Sequence, residues 1–137
     1  MNSLGPCKAL IYIMIVVSAS DRDMTDEELA RIGHIVDMWP VFEDFPKERL
    51  VEVARECQKL LQQQDGLDRV FAVVRNELPQ RLHDTAYALA FEVAAVDLEM
   101  RLEELRILQL LRRNLELDQT TIGAIERAAK ARHRMLN

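Results

Sequence analysis

Carboxylates gather at two breaks between apolar stretches of this chain, and the two breaks are written alike. At the first, Asp21 and Asp23 are followed by Glu27 and Glu28; at the second, Asp97 and Glu99 are followed by Glu103 and Glu104. Each group sets one acid at the end of an apolar run, another two residues on, and a pair in the first turn of the next run. Clustered carboxylates repel unless something positive sits among them, and an all-oxygen cluster suits a hard divalent cation. The same acids also have a purely helical use, because negative charge at a helix start offsets the helix dipole by about 0.3–1 kcal/mol. An EF-hand is excluded. Counted from Asp21, its obligatory turn glycine would be Asp26 and its bidentate glutamate Ile32; counted from Asp97, they would be Leu102 and Leu108.

The likeness of the two breaks extends to their surroundings. Residues 16–32 set against 92–108 agree at seven of 17 positions: Val17/Val93, Ala19/Ala95, Asp21/Asp97, Met24/Met100, Glu27/Glu103, Glu28/Glu104 and Leu29/Leu105. An apolar helix, a D-x-[DE]-M break and an E-E-L restart therefore occur twice in one order, which is an internal repeat.

The elements that must position these acids read as helices throughout. Residues 6–20 are apolar nearly all round, the mark of an enclosed central helix. The run 9–19 resembles a signal peptide in composition, but it aligns with 85–95 in the middle of the chain, so it is expected to be a buried helix. Thr25 stands three residues before Glu28, a T-x-x-E capping box that opens the second helix, and Pro40 ends that helix. Residues 41–45 form a linker carrying Phe42 and Phe45. Pro46 fits the first position of a third helix, whose inner face is Leu50, Val53, Ala54, Cys57, Leu60 and Leu61. A fourth covers 67–78, a fifth runs from Pro79 to residue 96, a sixth covers 102–115, and Asp118 caps a seventh. The expected fold is all-α: one domain over residues 1–137, a compact bundle of about seven helices. Helices one and five lie at its centre, and the hairpins one/two and five/six are related by an approximate two-fold.

Composition agrees with this. Four glycines and four prolines in 137 residues, with 49% hydrophobic content, favour helices around a substantial core. The net charge of −5 argues against nucleic-acid binding, which needs surplus Lys and Arg. The acidity is local: residues 1–68 carry 7 basic and 13 acidic side chains, residues 69–137 carry 11 and 10. Cys7 and Cys57 have no metal or redox spacing and are expected as buried thiols. His34, His83 and His133 are isolated, and no G-x-S-x-G, P-loop or H-E-x-x-H motif is present, so no enzyme is expected. Glu92 interrupts an apolar helix and is expected to be exposed or paired with an arginine. Trp39, Phe42 and Phe45 are expected in the core, and the basic tail Lys130, Arg132, His133, Arg134 is expected to complement the last helix's dipole.

The twofold A-x-D end of an apolar helix, with a glutamate seven residues after the aspartate, resembles the tellurite-resistance TerB-like family. The leucine-rich helix that closes with Leu115, Glu116, Leu117 and Asp118 fits as well, and the resemblance spans nearly the whole chain. It implies a small all-helical stress-response domain that binds a divalent cation (Ca, Mg, Mn or Zn) through acidic residues or serves as an adaptor. By position, the family's motif acids fall on Asp21, Glu28, Asp97 and Glu104, with Asp23, Glu27, Glu99 and Glu103 as accessory acids. Arg22 and Leu98 stand where the family usually has glycine, and Arg101 where a second capping hydroxyl would be. The expected setting is cytoplasmic, with protein partners or a homodimer and peripheral rather than transmembrane contact with a membrane. The alternative is a structural interaction module, a homodimer whose acids only cap helices.

Overall fold

The structure, a computed structural model, describes residues 4–19, 23–95 and 102–136. Among these residues every regular element is a helix. Seven α-helices follow in order: α1 (Leu4–Ala19), α2 (Asp26–Met38), α3 (Leu50–Gln62), α4 (Gly66–Glu77), α5 (His83–Ala95), α6 (Leu102–Asn114) and α7 (Gln119–Arg132). Short 3₁₀ turns lie at Pro40–Phe42, Lys47–Arg49 and Gln80–Leu82.

The two helices that are apolar all round became the centre. Residues 9–19 of α1 are all buried, enclosed by α2, α3, α4, α5 and α6. α5 lies against α1 and is covered in turn by α6 and α7. The outer helices are amphipathic, each burying one stripe. α3 turns Leu50, Val53, Ala54 and Cys57 inward, α4 Val70, Phe71 and Val74, and α6 Ile107, Leu108 and Leu111. Covering one such aliphatic side chain contributes about 1.5–3 kcal/mol. α2 packs on α1 and α6 on α5, as two sequence-adjacent hairpins should, whereas α4 packs chiefly on α1 and α3 and reaches α6 through Arg75, which donates to Asn114 Oδ1 at 2.6 Å. After α6 the chain passes directly to α7.

The local signals explain the boundaries, with one consistent difference. α2 begins with a complete capping box, and Asp118 caps α7 by accepting the Thr121 N–H at 2.7 Å. The prolines behave differently from expectation. Pro46 and Pro79 do not open α-helices: their ψ angles of 103° and 149° are extended, and each stands just before a 3₁₀ turn. Their carbonyls accept from Arg49 N–H and Leu82 N–H, both at 2.9 Å, so a tight turn precedes α3 and α5. The linker after α2 likewise contains a 3₁₀ turn, and it buries Phe42 and Phe45 edge to face, 6.5 Å apart. Between α3 and α4, Asp65 takes a left-handed φ of 56°. Gly66 follows because a Cβ there would lie 2.3 Å from the Leu61 carbonyl oxygen. Among the described residues, no helix is long and apolar enough to cross a membrane.

Candidate functional site

The acidic turns come out unequal. Asp21, Asp97 and Glu99 lie outside the described residues, as do the Arg22, Leu98 and Arg101 positions where the chain departs from the resembled family. Asp23, Glu27 and Glu103 are exposed. Glu28 is half-buried and committed to the helix start. Its Oε1 accepts the Thr25 N–H at 2.9 Å, while its own N–H donates to Thr25 Oγ1 at 3.1 Å. Glu104, its counterpart in the second turn, is only 5% exposed and is the one buried charged residue among those described. The second buried polar residue, Ser18, lies near the end of α1. Among the described residues, no three of His, Cys, Asp and Glu gather closely enough to hold a metal. The geometry of Glu28 therefore fits a cap better than a ligand. Glu104 is engaged within the protein, as an enclosed charge must be, so its burial does not by itself call for an added cation.

The polar connections that hold the bundle lie elsewhere, on the central tyrosines. Tyr87 of α5 has no exposed surface, yet its hydroxyl reaches the edge of the core and donates to Glu126 Oε2 of α7 at 2.5 Å. Arg112 of α6 donates from Nε to the same hydroxyl oxygen at 2.8 Å, pairs with Glu126, and lies over the Tyr87 ring at 5.6 Å. One phenol thus ties three helices. Burial first, then the bond to Glu126, pushes the Tyr87 hydroxyl upward in pKa, so it remains a donor. Tyr12 of α1 has a looser version. Its hydroxyl lies 3.5 Å from Glu56 Oε2 of α3, and Lys8 pairs with Glu56 at 3.5 Å while standing 5.5 Å from the Tyr12 ring. Sequence reasoning missed both tyrosines. The signal was there: a tyrosine in an otherwise apolar helix must bring its hydroxyl to a partner.

No family model, curated protein or solved structure matches this chain.

The remaining residues sort by chemistry. Glu92 is paired, as expected for an acid in an apolar helix. Arg132 Nη2 donates to its Oε2 at 2.5 Å, and His133 Nε2 lies 2.9 Å from Oε1. Burial alone would raise the Glu92 carboxyl; the bonds from Arg132 and His133 outweigh it and hold the carboxyl below its ordinary value. His83 Nδ1 accepts the Glu116 N–H at 3.0 Å, fastening the α6–α7 connection to the start of α5. His34 is exposed. Cys7 and Cys57 are buried free thiols, and burial pushes Cys57 up to about 12, which keeps it protonated. Phe42 and Phe45 are in the core; Trp39 packs against it but is half-buried and also lines a surface groove. That groove, about 410 Å³, runs between the end of α2, the first turns of α5 and the first turns of α7. A second, about 450 Å³, lies between α2 and the start of α3 and contains His34, Asp37 and Lys47.

Proposed function

We propose that this chain is a non-enzymatic, TerB-like helical module of a stress-response system, and that its second acidic turn is where a divalent cation or a cationic partner group engages it. The observation that carries the reading is the burial of Glu104. Its counterpart Glu28 belongs to a capping box with Thr25. The second copy has Arg101 at the position of that threonine and so lacks the hydroxyl for the same box. Glu104 nonetheless sits in the first turn of α6, enclosed and engaged within the protein, so a cation at this turn would share that carboxylate with its existing partner. The central pairing of α1 with α5, and the flanking of each by the helix that follows its break, supports two hairpins of common design.

Calorimetric titration of the full chain with Ca²⁺, Mg²⁺, Mn²⁺ and Zn²⁺ tests this. Binding should appear for at least one ion, be abolished in Asp97→Asn/Glu104→Gln, and survive in Asp21→Asn/Glu28→Gln. No heat, together with no rise in melting temperature at excess metal, would end the metal reading. The completed capping box around Thr25 favours a second reading for the first turn, in which the acids are structural and the protein is an interaction module that pairs with itself. Sedimentation velocity in chelator would then give a dimer, and Thr25→Ala would cost about 1 kcal/mol without changing metal response.

A further inference from the structure

We propose that the groove between α2, α5 and α7 binds an alkylammonium group, with Asp84 as its counter-charge and Trp39 as its aromatic wall. This site is separate from the acidic turns and does not depend on their reading.

Four observations carry it. Trp39 is the chain's single tryptophan, and it is held from both sides by backbone. Its N–H donates to Ile35 O at 2.9 Å, and its carbonyl accepts from Phe42 N–H at 3.1 Å. The ring is half-buried in the groove wall, and its indole N–H has no hydrogen-bond partner among the described residues. Trp39 packs against the core on one side and leaves the rest of its surface to the groove. Second, Asp84 lines the same groove and forms no ion pair among the described residues. Only its Oδ1 is engaged, accepting the Thr85 N–H at 2.7 Å. Glu56, Glu92 and Glu126, by contrast, all hold cations. Third, Ala88 and Ile125 line the groove together with Thr85 and Thr121. Apolar atoms there suit an alkyl chain, and the hydroxyls offer acceptors to N–H groups. Fourth, the groove's 410 Å³ lies within the roughly 300–1,000 Å³ of small-ligand sites.

The helix dipoles need to be weighed, because α5 and α7 both begin beside the groove and each start carries about +0.5 charge. Asp84 in the first turn of α5 and the Asp118 cap of α7 each set a full negative charge against these half charges. An ammonium carried on an apolar chain therefore matches both the charge and the wall, since a cation over an indole face gains further attraction. Such a group is supplied by a free amine or by a lysine side chain of a partner protein.

Trp39 is the only tryptophan, so intrinsic fluorescence reports on this groove alone. The full chain is titrated with n-pentylammonium, with n-pentanol as the neutral isostere, and with Nα-acetyl-lysine-N-methylamide. Saturable change in Trp39 emission is expected with the ammonium at a concentration at least ten-fold below that of pentanol. Asp84→Asn, which keeps an acceptor for the Thr85 N–H, should retain the circular dichroism spectrum and erase the ten-fold preference. Tighter binding of the lysine derivative than of the pentylammonium would assign the site to a protein partner, and the reverse to a free amine. Equal response to pentanol and pentylammonium, a preference that survives Asp84→Asn, or no saturation by 10 mM would each overturn the assignment.

Discussion

Removing a single hydroxyl from each central tyrosine separates packing from hydrogen bonding with little else changed. Tyr87→Phe and Tyr12→Phe both keep a fully enclosed ring, with 0% and 1% exposure, so the apolar contribution cancels between them. The hydroxyls differ. That of Tyr87 donates to Glu126 at 2.5 Å and accepts from Arg112 at 2.8 Å, whereas that of Tyr12 has one contact at 3.5 Å, the limit for a bond. Bonds to charged groups contribute about 1.5–3 kcal/mol each, but Arg112 and Glu126 remain paired to each other and partly wet after the change. The net cost of Tyr87→Phe is therefore about 2 kcal/mol, and that of Tyr12→Phe about 0.5 kcal/mol or less. With roughly 2.1 cal/mol/K of unfolding entropy per residue over 137 residues, the first should lower Tm by about 7 °C and the second by about 2 °C. Thermal unfolding followed by far-ultraviolet dichroism measures the Tm shifts, and guanidinium denaturation the free-energy costs. A double-mutant cycle of Tyr87→Phe with Glu126→Gln should return a coupling of about 1 kcal/mol. A Tyr12→Phe variant as destabilised as Tyr87→Phe would refute the reasoning, because equal costs would mean that the bond geometry does not set the loss.

Two further outcomes follow from the same contacts. The Glu92 carboxyl is held below its ordinary value of 4.5, so its pairing contributes fully above that pH and is lost as pH falls through the lowered folded value. Stability curves of the native chain and Glu92→Gln should thus be separated at pH 7 and converge in acid; a constant gap down to pH 2 would contradict the assignment. Native-state hydrogen exchange should find the amides of α7 opening at lower free energy than those of α1, since α7 buries only Ile122 and Ala129 whereas residues 9–19 of α1 are wholly enclosed. Equal protection of the two helices would count against this ranking.

Much of the bundle could be read directly from residue patterns, and most of the misses share one cause. α1 and α5 were placed at the centre because an all-round apolar helix has no other stable location, and the caps at Thr25 and Asp118 are local events decided within four residues. The linker phenylalanines followed from their bulk. Trp39 followed only in part: it packs against the core but is half-buried, because how far a large ring at a helix end is covered depends on what packs beside it, here the starts of α5 and α7 far along the chain. The partner class of Glu92 was legible as arginine, but the identity of Arg132, 40 positions away, was not. Pro46 and Pro79 misled for a narrower reason. A proline fixes φ near −70°, which suits a helix, but leaves ψ free, and an extended ψ turned each into the residue before a 3₁₀ turn. Of the candidate site, the pairing of Glu28 with Thr25 was written in the T-x-x-E spacing; the enclosure of Glu104 was not, because it arises from how α6 settles beside α1 and α5.

The two halves use tyrosine in a way that bears on how the molecule can respond to a ligand. In the first, Lys8 and Tyr12 are one helical turn apart on α1, so the cation, ring and Glu56 join only α1 to α3. In the second, cation, ring and carboxylate come from three different helices, and the pair Glu92–Arg132 adds another tie between α5 and α7. α7 is consequently held by directional polar bonds at two points along its length and by little apolar surface between them. Such an element has a steep dependence on its bond geometry and a shallow one on burial, the reverse of α1. The groove wall formed by Thr121 and Ile125 belongs to this same helix, facing Trp39 and Asp84 from across the opening. A ligand in the groove would bridge α7 to the α2 and α5 walls, and so stabilise a helix whose buried residues are only Ile122 and Ala129.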